Sequence, residues 1–102
     1  MQTRLDFHAE LVAITDANVY FQPPANVKLK YPCVIYNVQR YVGEEADNIK
    51  FITGTEYKLM AIHTDPDDPL PTLVLEKLPR CRSDRIYPLN GLYHSVFTVI
   101  RN

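Results

Sequence analysis

The chain has 102 residues, enough for one hydrophobic core and too few for two, so it predicts a single domain over residues 1–102. Hydrophobic residues make up 46% of the sequence, which argues against a disordered chain. The net charge of −1 excludes a general preference for nucleic acid, and the short apolar runs exclude a membrane-spanning helix, which needs about 20 apolar residues.

The N-terminal part of the chain predicts one helix and one short strand. The helix is expected over Thr3–Asp16, with a wide apolar stripe along one side that includes Leu5 and Val12. A short run of strand-forming residues follows at Val19–Gln22, where two prolines stop it.

A long strand is predicted over Cys33–Val42, buried on both faces at its start. Strict alternation along it would place Val38 and Val42 on the same face. The rest of the chain predicts, in order, an acidic loop, a strand, a proline-rich irregular segment, a helix and two strands joined by an Asn-Gly turn. Their ranges are Gly43–Asn48, Ile49–His63, Thr64–Pro71, Thr72–Leu78, Cys81–Tyr87 and Leu92–Arg101.

The order of these elements is α-β-β-β-α-β-β. Short connections between consecutive strands favour a mixed, mainly antiparallel sheet. The N-terminal helix and the second, short helix are expected to pack together on one face of that sheet. The sequence therefore predicts an α+β fold.

Charge is distributed unevenly along the chain. Residues 43–76 contain two basic and eight acidic residues, whereas residues 77–102 contain five basic residues and one acidic residue. These two blocks are expected to pair either within the fold or between neighbouring subunits of a ring. The charged residues that form our candidate subunit or partner interface are Lys28, Lys30, Glu44, Glu45, Asp47, Asp67, Asp68, Arg80, Arg82 and Arg85.

Two arginines stand out in the first strand of the last pair. Arg82 and Arg85 are an odd number of residues apart, so a regular strand would turn them to opposite faces. One of them is expected to pair with an acid of the fold, such as Asp84, and the other to face a partner. The cluster lacks the interleaved aromatic residues of a single-strand binder, so we expect no direct recognition of DNA.

Residues able to bind a metal are scattered. His8, His63 and His94 have no second ligand at helical spacing, and the acidic loop at 65–68 lacks the glycine and glutamate of an EF-hand. The aspartates of that loop are expected to close turns and to cap the following helix. We therefore expect no metal site and no cofactor.

The sequence also contains no motif for nucleophilic catalysis. Ser83 and Ser95 lie in no nucleophile motif, and three glycines are too few for a phosphate-binding loop. Cys33 and Cys81 are expected to be free, buried thiols of a cytoplasmic protein, because no apolar secretory segment precedes them. We expect no catalytic residue.

Six short motifs and one aromatic residue follow one another between residues 31 and 99. They are Tyr31-Pro32-Cys33, Ala46-Asp47-Asn48, Asp65-Pro66-Asp67-Asp68, Leu78-Pro79-x-Cys81, Asp84-Arg85-x-Tyr87, Asn90-x-Leu92-x-His94 and Phe97. In order and spacing the chain resembles a family of small tail-assembly proteins of long-tailed bacteriophages, the tail terminators or tail completion proteins. Gly91 departs from the family pattern at one turn.

The resemblance implies a small sheet with helices on one side, six copies of which form a ring that caps the finished tail tube. Such a ring ends polymerisation of the tube protein and offers a surface to the head–tail connector protein. Its lumen passes DNA without sequence recognition. The resemblance also implies a virion protein of the head–tail junction, assembled in the host cytoplasm without cofactor, active site or membrane.

Three alternatives stay open. The first is a connector adaptor or stopper protein of the head–tail junction, often a ring of twelve copies. The second is a small metal-dependent hydrolase that uses His63, Asp65 and His94. The third is a host-encoded binding module.

Overall fold

A computed structural model of the chain describes residues 3–46 and 49–101, with side chains described for all of these except 44–46 and 49–51. It contains two helices and one five-stranded mixed sheet in the order α-β-β-β-α-β-β, which confirms the predicted α+β class. The elements are α1 (Arg4–Thr15), β1 (Asn18–Phe21), β2 (Cys33–Ala46), β3 (Ile49–His63), α2 (Leu70–Lys77), β4 (Cys81–Leu89) and β5 (Leu92–Arg101).

Helix α1 begins at a capping box. The Thr3 hydroxyl accepts a hydrogen bond from the backbone N–H of Asp6 at 3.1 Å, and the Asp6 carboxylate accepts one from the backbone N–H of Thr3 at 3.3 Å. Only a narrow stripe of the helix contacts the sheet. The prediction of a wide stripe was wrong, because Leu5 is 67% exposed and Val12 is 45% exposed.

The strands lie in the order β1-β2-β3-β5-β4, with β3 at the centre. β1 pairs with β2 in parallel, and every other neighbouring pair is antiparallel. β2 lies along one edge of β3 and β5 along the other.

Both helices lie on one face of the sheet, which we call the front face. The helices contribute Phe7, Leu11, Leu70 and Val74 to the core. The strand residues of the same cluster alternate along their strands, as one face requires. They are Val34, Tyr36, Tyr57, Leu59, Ala61, Phe97 and Val99.

Three corrections concern β2 and β3. The predicted acidic loop Gly43–Asn48 is strand as far as Ala46, and only 47–48 lie outside the described residues. A register shift after Val38 leaves Gln39 unpaired, so Val42 faces the side opposite to Val38. A second shift between Val42 and Gly43 bends the ribbon further.

The proline-rich segment is shorter than predicted. Helix α2 begins at Leu70, two residues before the predicted start, because Pro69 and Pro71 fall at its cap and first turn, where no N–H is needed. The predicted turn-closing role of the aspartates is confirmed, whereas the N-cap of α2 is Pro69, which makes no side-chain capping bond. Asp65 accepts a bond from the backbone N–H of Asp67, and Asp68 accepts one from that of Leu70, both at 2.9 Å.

The last two strands are joined by the predicted turn. Asn90 and Gly91 both have positive φ values, 53° and 75°, as a type I′ turn requires. The glycine therefore suits this turn. β4 runs two residues further than predicted, through Pro88, which an edge strand tolerates because it needs no partner on its outer side.

Substitution of Tyr36 tests the position of the hydrophobic core. We expect Tyr36→Ala to lower the free energy of unfolding by about 3–5 kcal/mol, because the ring is fully buried against Phe7 and Tyr57. Urea denaturation followed by circular dichroism measures the loss. Tyr41→Ala is the matched control: Tyr41 is 63% exposed, so we expect a change within about 0.5 kcal/mol. Equal losses in the two variants would contradict the placement of the core.

Candidate functional site

The face of the sheet opposite the helices, which we call the back face, is bare of helix in the described residues. Its centre is apolar. Ile35 of β2 pairs with Met60 of β3, and Met60 pairs with Val96 of β5, so the three side chains form one row across the sheet. Val96 is buried, whereas Ile35 and Met60 are half-buried.

Arg82 and Arg85 both lie on this back face. Arg82 pairs with Thr98 and Arg85 with Val96, and those two residues are two positions apart on β5. A register shift at Asp84 adds one residue to β4 and thereby reverses the alternation that the sequence predicted. The prediction that the two arginines face opposite ways was therefore wrong.

The two arginines have different partners. Arg82 Nε donates a hydrogen bond to Asp84 Oδ1 at 2.9 Å, as predicted for one of the pair. The guanidinium of Arg85 lies 5.0 Å from the centre of the Tyr87 ring, and that ring stacks on His94 with centroids 5.0 Å apart. Both arginines are exposed, so both are accessible to a partner.

The loop that contains Lys28 and Lys30 is bonded to the β1 edge of the sheet. The backbone N–H of Lys30 donates to the Tyr20 hydroxyl at 3.2 Å, and the Asn18 amide donates to the Lys30 carbonyl at 3.1 Å. Asn18 and Tyr20 pair with back-face residues of β2, so these bonds hold the loop against that edge. Lys28 is exposed in the same loop.

Lys58 completes the arrangement. It lies on β3 opposite Thr98, in the same row as Arg82. Lys58 and Arg82 therefore lie in the row next to the apolar row, and Arg85 lies at its β4 end. We call this surface the basic face, and its accessible members are Ile35, Lys58, Met60, Arg82 and Arg85; the Asp84 carboxylate, bonded to Thr98 and Arg82, lies among its cations.

Lys58 and Arg85 of the basic face have no ion-pair partner among the described side chains. Among the described side chains, three pairs form: Arg40 with Glu56 at 2.8 Å, Arg82 with Asp84 at 2.9 Å and Arg101 with Glu10 at 3.1 Å. None of these joins the acidic block at 43–76 to the basic block at 77–102.

The acidic block is also divided by the fold. Glu44 and Glu45 pair through their backbones with the first residues of β3, whereas Asp67 and Asp68 follow its last residue. The β3 partners of Glu44 and Glu45 lie 12 and 13 residues before His63, the last residue of β3, so the two groups of acids are separated by roughly 40 Å. The sequence grouped them in one patch, and the structure does not bring them together. Asp47 lies outside the described residues.

One end of the sheet carries a two-stranded projection. β1 ends opposite Tyr36, and β5 is described as far as Arg101, which lies opposite Thr55. Beyond those points the described parts of β2 and β3 pair only with each other. We call residues 41–46 and 49–54 the arm. Tyr41 and Ile52 are exposed on it by 63% and 59%. The other candidate cation, Arg80, is exposed in the turn before β4.

The residues of the hydrolase alternative are separated. His63 pairs with Tyr93 on the front face, whereas His94 pairs with Ile62 on the back face. His63 Nδ1 donates to the carbonyl of Asp65 at 2.7 Å. The described residues contain no group of three or more histidine, cysteine, aspartate or glutamate side chains able to hold a metal. Neither described helix has the length and apolarity needed to cross a bilayer.

The two cysteines are free thiols, as predicted. Cys33 is fully buried, and burial raises the pKa of its thiol to about 11. Cys81 is half-buried, and burial likewise raises its pKa to about 11, against the opposing effect of Arg101. At neutral pH both are protonated and therefore weak nucleophiles.

A shallow groove lies on the front face beside the start of α2. Its walls include His63, Pro71, Ile86, Tyr93 and Ser95, and its volume is about 250 Å³. Pockets for drug-sized ligands are usually larger, from roughly 300 Å³ upward. The basic face and the arm are the more extensive unpartnered surfaces.

The interface predicted from the sequence contained only charged residues, so it missed the apolar residues of both surfaces as well as Lys58. The face on which Lys58 lies could have been predicted, because strand alternation places it on the same face as Glu56 and Met60. The exposure of Tyr41 and Ile52 could not have been predicted from the local sequence, since it follows from where the pairing with neighbouring strands ends. Comparison with protein-family models, curated proteins and solved structures finds no match to this chain.

Asp84 offers a pH-dependent test of the back face. The hydrogen bond from the Thr98 hydroxyl, followed by Arg82, holds the pKa of the Asp84 carboxyl below its ordinary value of 3.8. A carboxyl whose pKa is lower in the folded state stabilises the fold above its unfolded pKa. That contribution is lost as the pH falls through the folded pKa.

Thr98→Val removes the main donor to Asp84. We expect a loss of roughly 1 kcal/mol in the free energy of unfolding at pH 7, and a loss that becomes smaller as the pH falls through the lowered pKa of folded Asp84. Urea denaturation at pH 7 and at a series of pH values below about 4 measures it. In Thr72→Val, the control, the lost hydroxyl bonds only the Pro69 carbonyl, so its effect should not change with pH. A pH-independent loss in Thr98→Val would contradict the role of Asp84.

Proposed function

We propose that this chain is the subunit of a tail-terminator ring in a long-tailed bacteriophage. Six copies close head-to-tail into a ring that caps the completed tail tube and ends polymerisation of the tube protein. The ring presents a surface to the connector protein, and DNA passes through its lumen without sequence recognition. The ring stays in the virion at the head–tail junction.

The observation that carries the proposal is that one subunit presents two unlike, unpartnered surfaces. One is the basic face, with its apolar centre, and the other is the arm, with Tyr41 and Ile52 exposed. A ring built from one kind of subunit needs two different and complementary patches on each copy. A subunit of this shape, 51 × 31 × 24 Å, also keeps those patches well separated.

The motifs behind the resemblance support it further. Tyr87 and His94, from two different motifs, stack on each other across β4 and β5. Leu78 is buried in the front-face core and Cys81 packs against it. The motifs therefore occupy positions that hold together a sheet with helices on one face, the architecture that the resemblance implies.

Tube assembly in vitro tests the proposal. The chain is added to the polymerising tail-tube protein encoded beside it in the same genome, and tube lengths are measured in electron micrographs. We expect growth to stop and a six-fold ring to appear at one tube end. The tube protein alone is the control, and tubes that lengthen equally with and without the chain would contradict the proposal.

Averaged images of the ring also discriminate between the open alternatives. A ring of twelve copies that binds the portal and not the tube would favour the connector adaptor. Gene order gives an independent check, since a terminator gene should lie between the head-joining genes and the tube gene.

A further inference from the structure

We propose that the arm of one copy lies on the basic face of the next copy, so that this contact is the repeating interface of the ring. The inference rests on the proposed function for the closure of the ring. The contact itself is argued from the two surfaces alone. The arm supplies apolar and acidic residues, and the basic face supplies an apolar row bordered by cations.

The arm needs a partner surface. A ribbon of two strands is at best marginally stable in water, because neither of its faces is covered. The arm begins where the described pairing of β2 with β1 and of β3 with β5 ends, and no third strand among the described residues pairs with it. It nonetheless exposes Tyr41 by 63% and Ile52 by 59%, and these two side chains lie on the same face of the ribbon by their pairing.

The arm cannot reach the basic face of its own subunit. It continues the direction of β2 and β3 away from the end of β5, whereas the basic face lies on the paired part of the same strands. Closing the contact within one chain would require the two strands to fold back on themselves. A second copy meets no such restriction, and the resulting contact is head-to-tail.

Charge favours the same pairing. The sequence of the arm contains Glu44 and Glu45 beside a single Lys50. The basic face presents Lys58 and the exposed arginine Arg85, neither of which has an ion-pair partner within 4.0 Å among the described side chains. Opposite charges at the rim of an apolar contact guide encounter and set its register.

Nucleic acid is the other class of ligand that a basic sheet could bind, and the geometry disfavours it. Base stacking requires aromatic rings with a free face. The central row consists of aliphatic Ile35, Met60 and Val96, and Tyr87 is stacked on His94 with Arg85 over the ring. The arm of a second copy fits this surface better.

Two variants and their mixture test the contact by sedimentation velocity up to about 1 mM protein. The arm variant carries Tyr41→Ser and Ile52→Ser, and the face variant carries Arg82→Glu and Arg85→Glu. We expect the natural chain to self-associate and each variant alone to associate at least about tenfold more weakly. A one-to-one mixture should form a heterodimer and stop there. In that dimer the intact arm of the face variant binds the intact face of the arm variant.

Matched controls separate the contact from general effects. Leu5→Ser with Val12→Ser removes two exposed apolar residues from α1, and Lys77→Glu with Arg80→Glu makes the same change of charge away from the basic face. Both controls should associate like the natural chain. Circular dichroism should show folded protein in every variant, and an unfolded face or arm variant would overturn the assignment of those residues to a surface.

The remaining outcomes each decide the question. A natural chain that is monomeric at about 1 mM, or a mixture without heterodimer, overturns the proposal. The proposal is also overturned if the natural chain binds a labelled 20-nucleotide DNA and the face variant alone loses this binding while its self-association is unchanged. If the chain stops tube growth and the face variant does so equally well, this contact is wrong and the terminator function stands. If the heterodimer forms and tube growth is unaffected, the contact stands and the function is wrong.

Discussion

The aromatic contact between α1 and the two central strands is the interaction on which the other surfaces depend. The Phe7 ring stacks on Tyr57 with centroids 4.4 Å apart and meets Tyr36 edge-on at 5.5 Å. The Tyr36 hydroxyl is bonded in turn to Arg4 and His8, so the same residue ties the helix to the sheet by polar and apolar contacts. With this cluster on the front face, both helices are committed to one side. The back face is left for other contacts.

Register shifts decide what the back face presents. One extra residue at Asp84 brings Arg82 and Arg85 to the same side, and another at Gln39 moves Val42 away from the face of Val38. A strand without such shifts would divide the two arginines between the front and back faces, and the basic face would keep only one of them. The bulges therefore have a larger effect on the surface chemistry than on the core, whose residues keep their alternation.

The arm and the basic face differ in how firmly their own subunit holds them. The basic face lies on a paired five-stranded sheet whose opposite face carries the buried core, including Phe97 and Val99. The arm has only its own ladder of hydrogen bonds, and it exposes a tyrosine and an isoleucine. A contact between them joins a paired sheet to a two-stranded ribbon, so the loss of conformational entropy on binding would fall on the arm alone. Such a contact is suited to a subunit that assembles only when its neighbours are present.

The sequence by itself determined the features that depend on near neighbours in the chain: the order of helices and strands, the Asn90-Gly91 turn and the turn-closing role of Asp65. These follow from local hydrogen bonding and from periodicity, which a single sequence displays. Tertiary structure alone decided that Glu44 and Asp68 lie at opposite ends of β3, and that Arg82 and Arg85 share one face. Strand pairing sets both, and pairing depends on residues far apart in the chain, so a bulge or the point where a neighbouring strand ends cannot be located from local pattern.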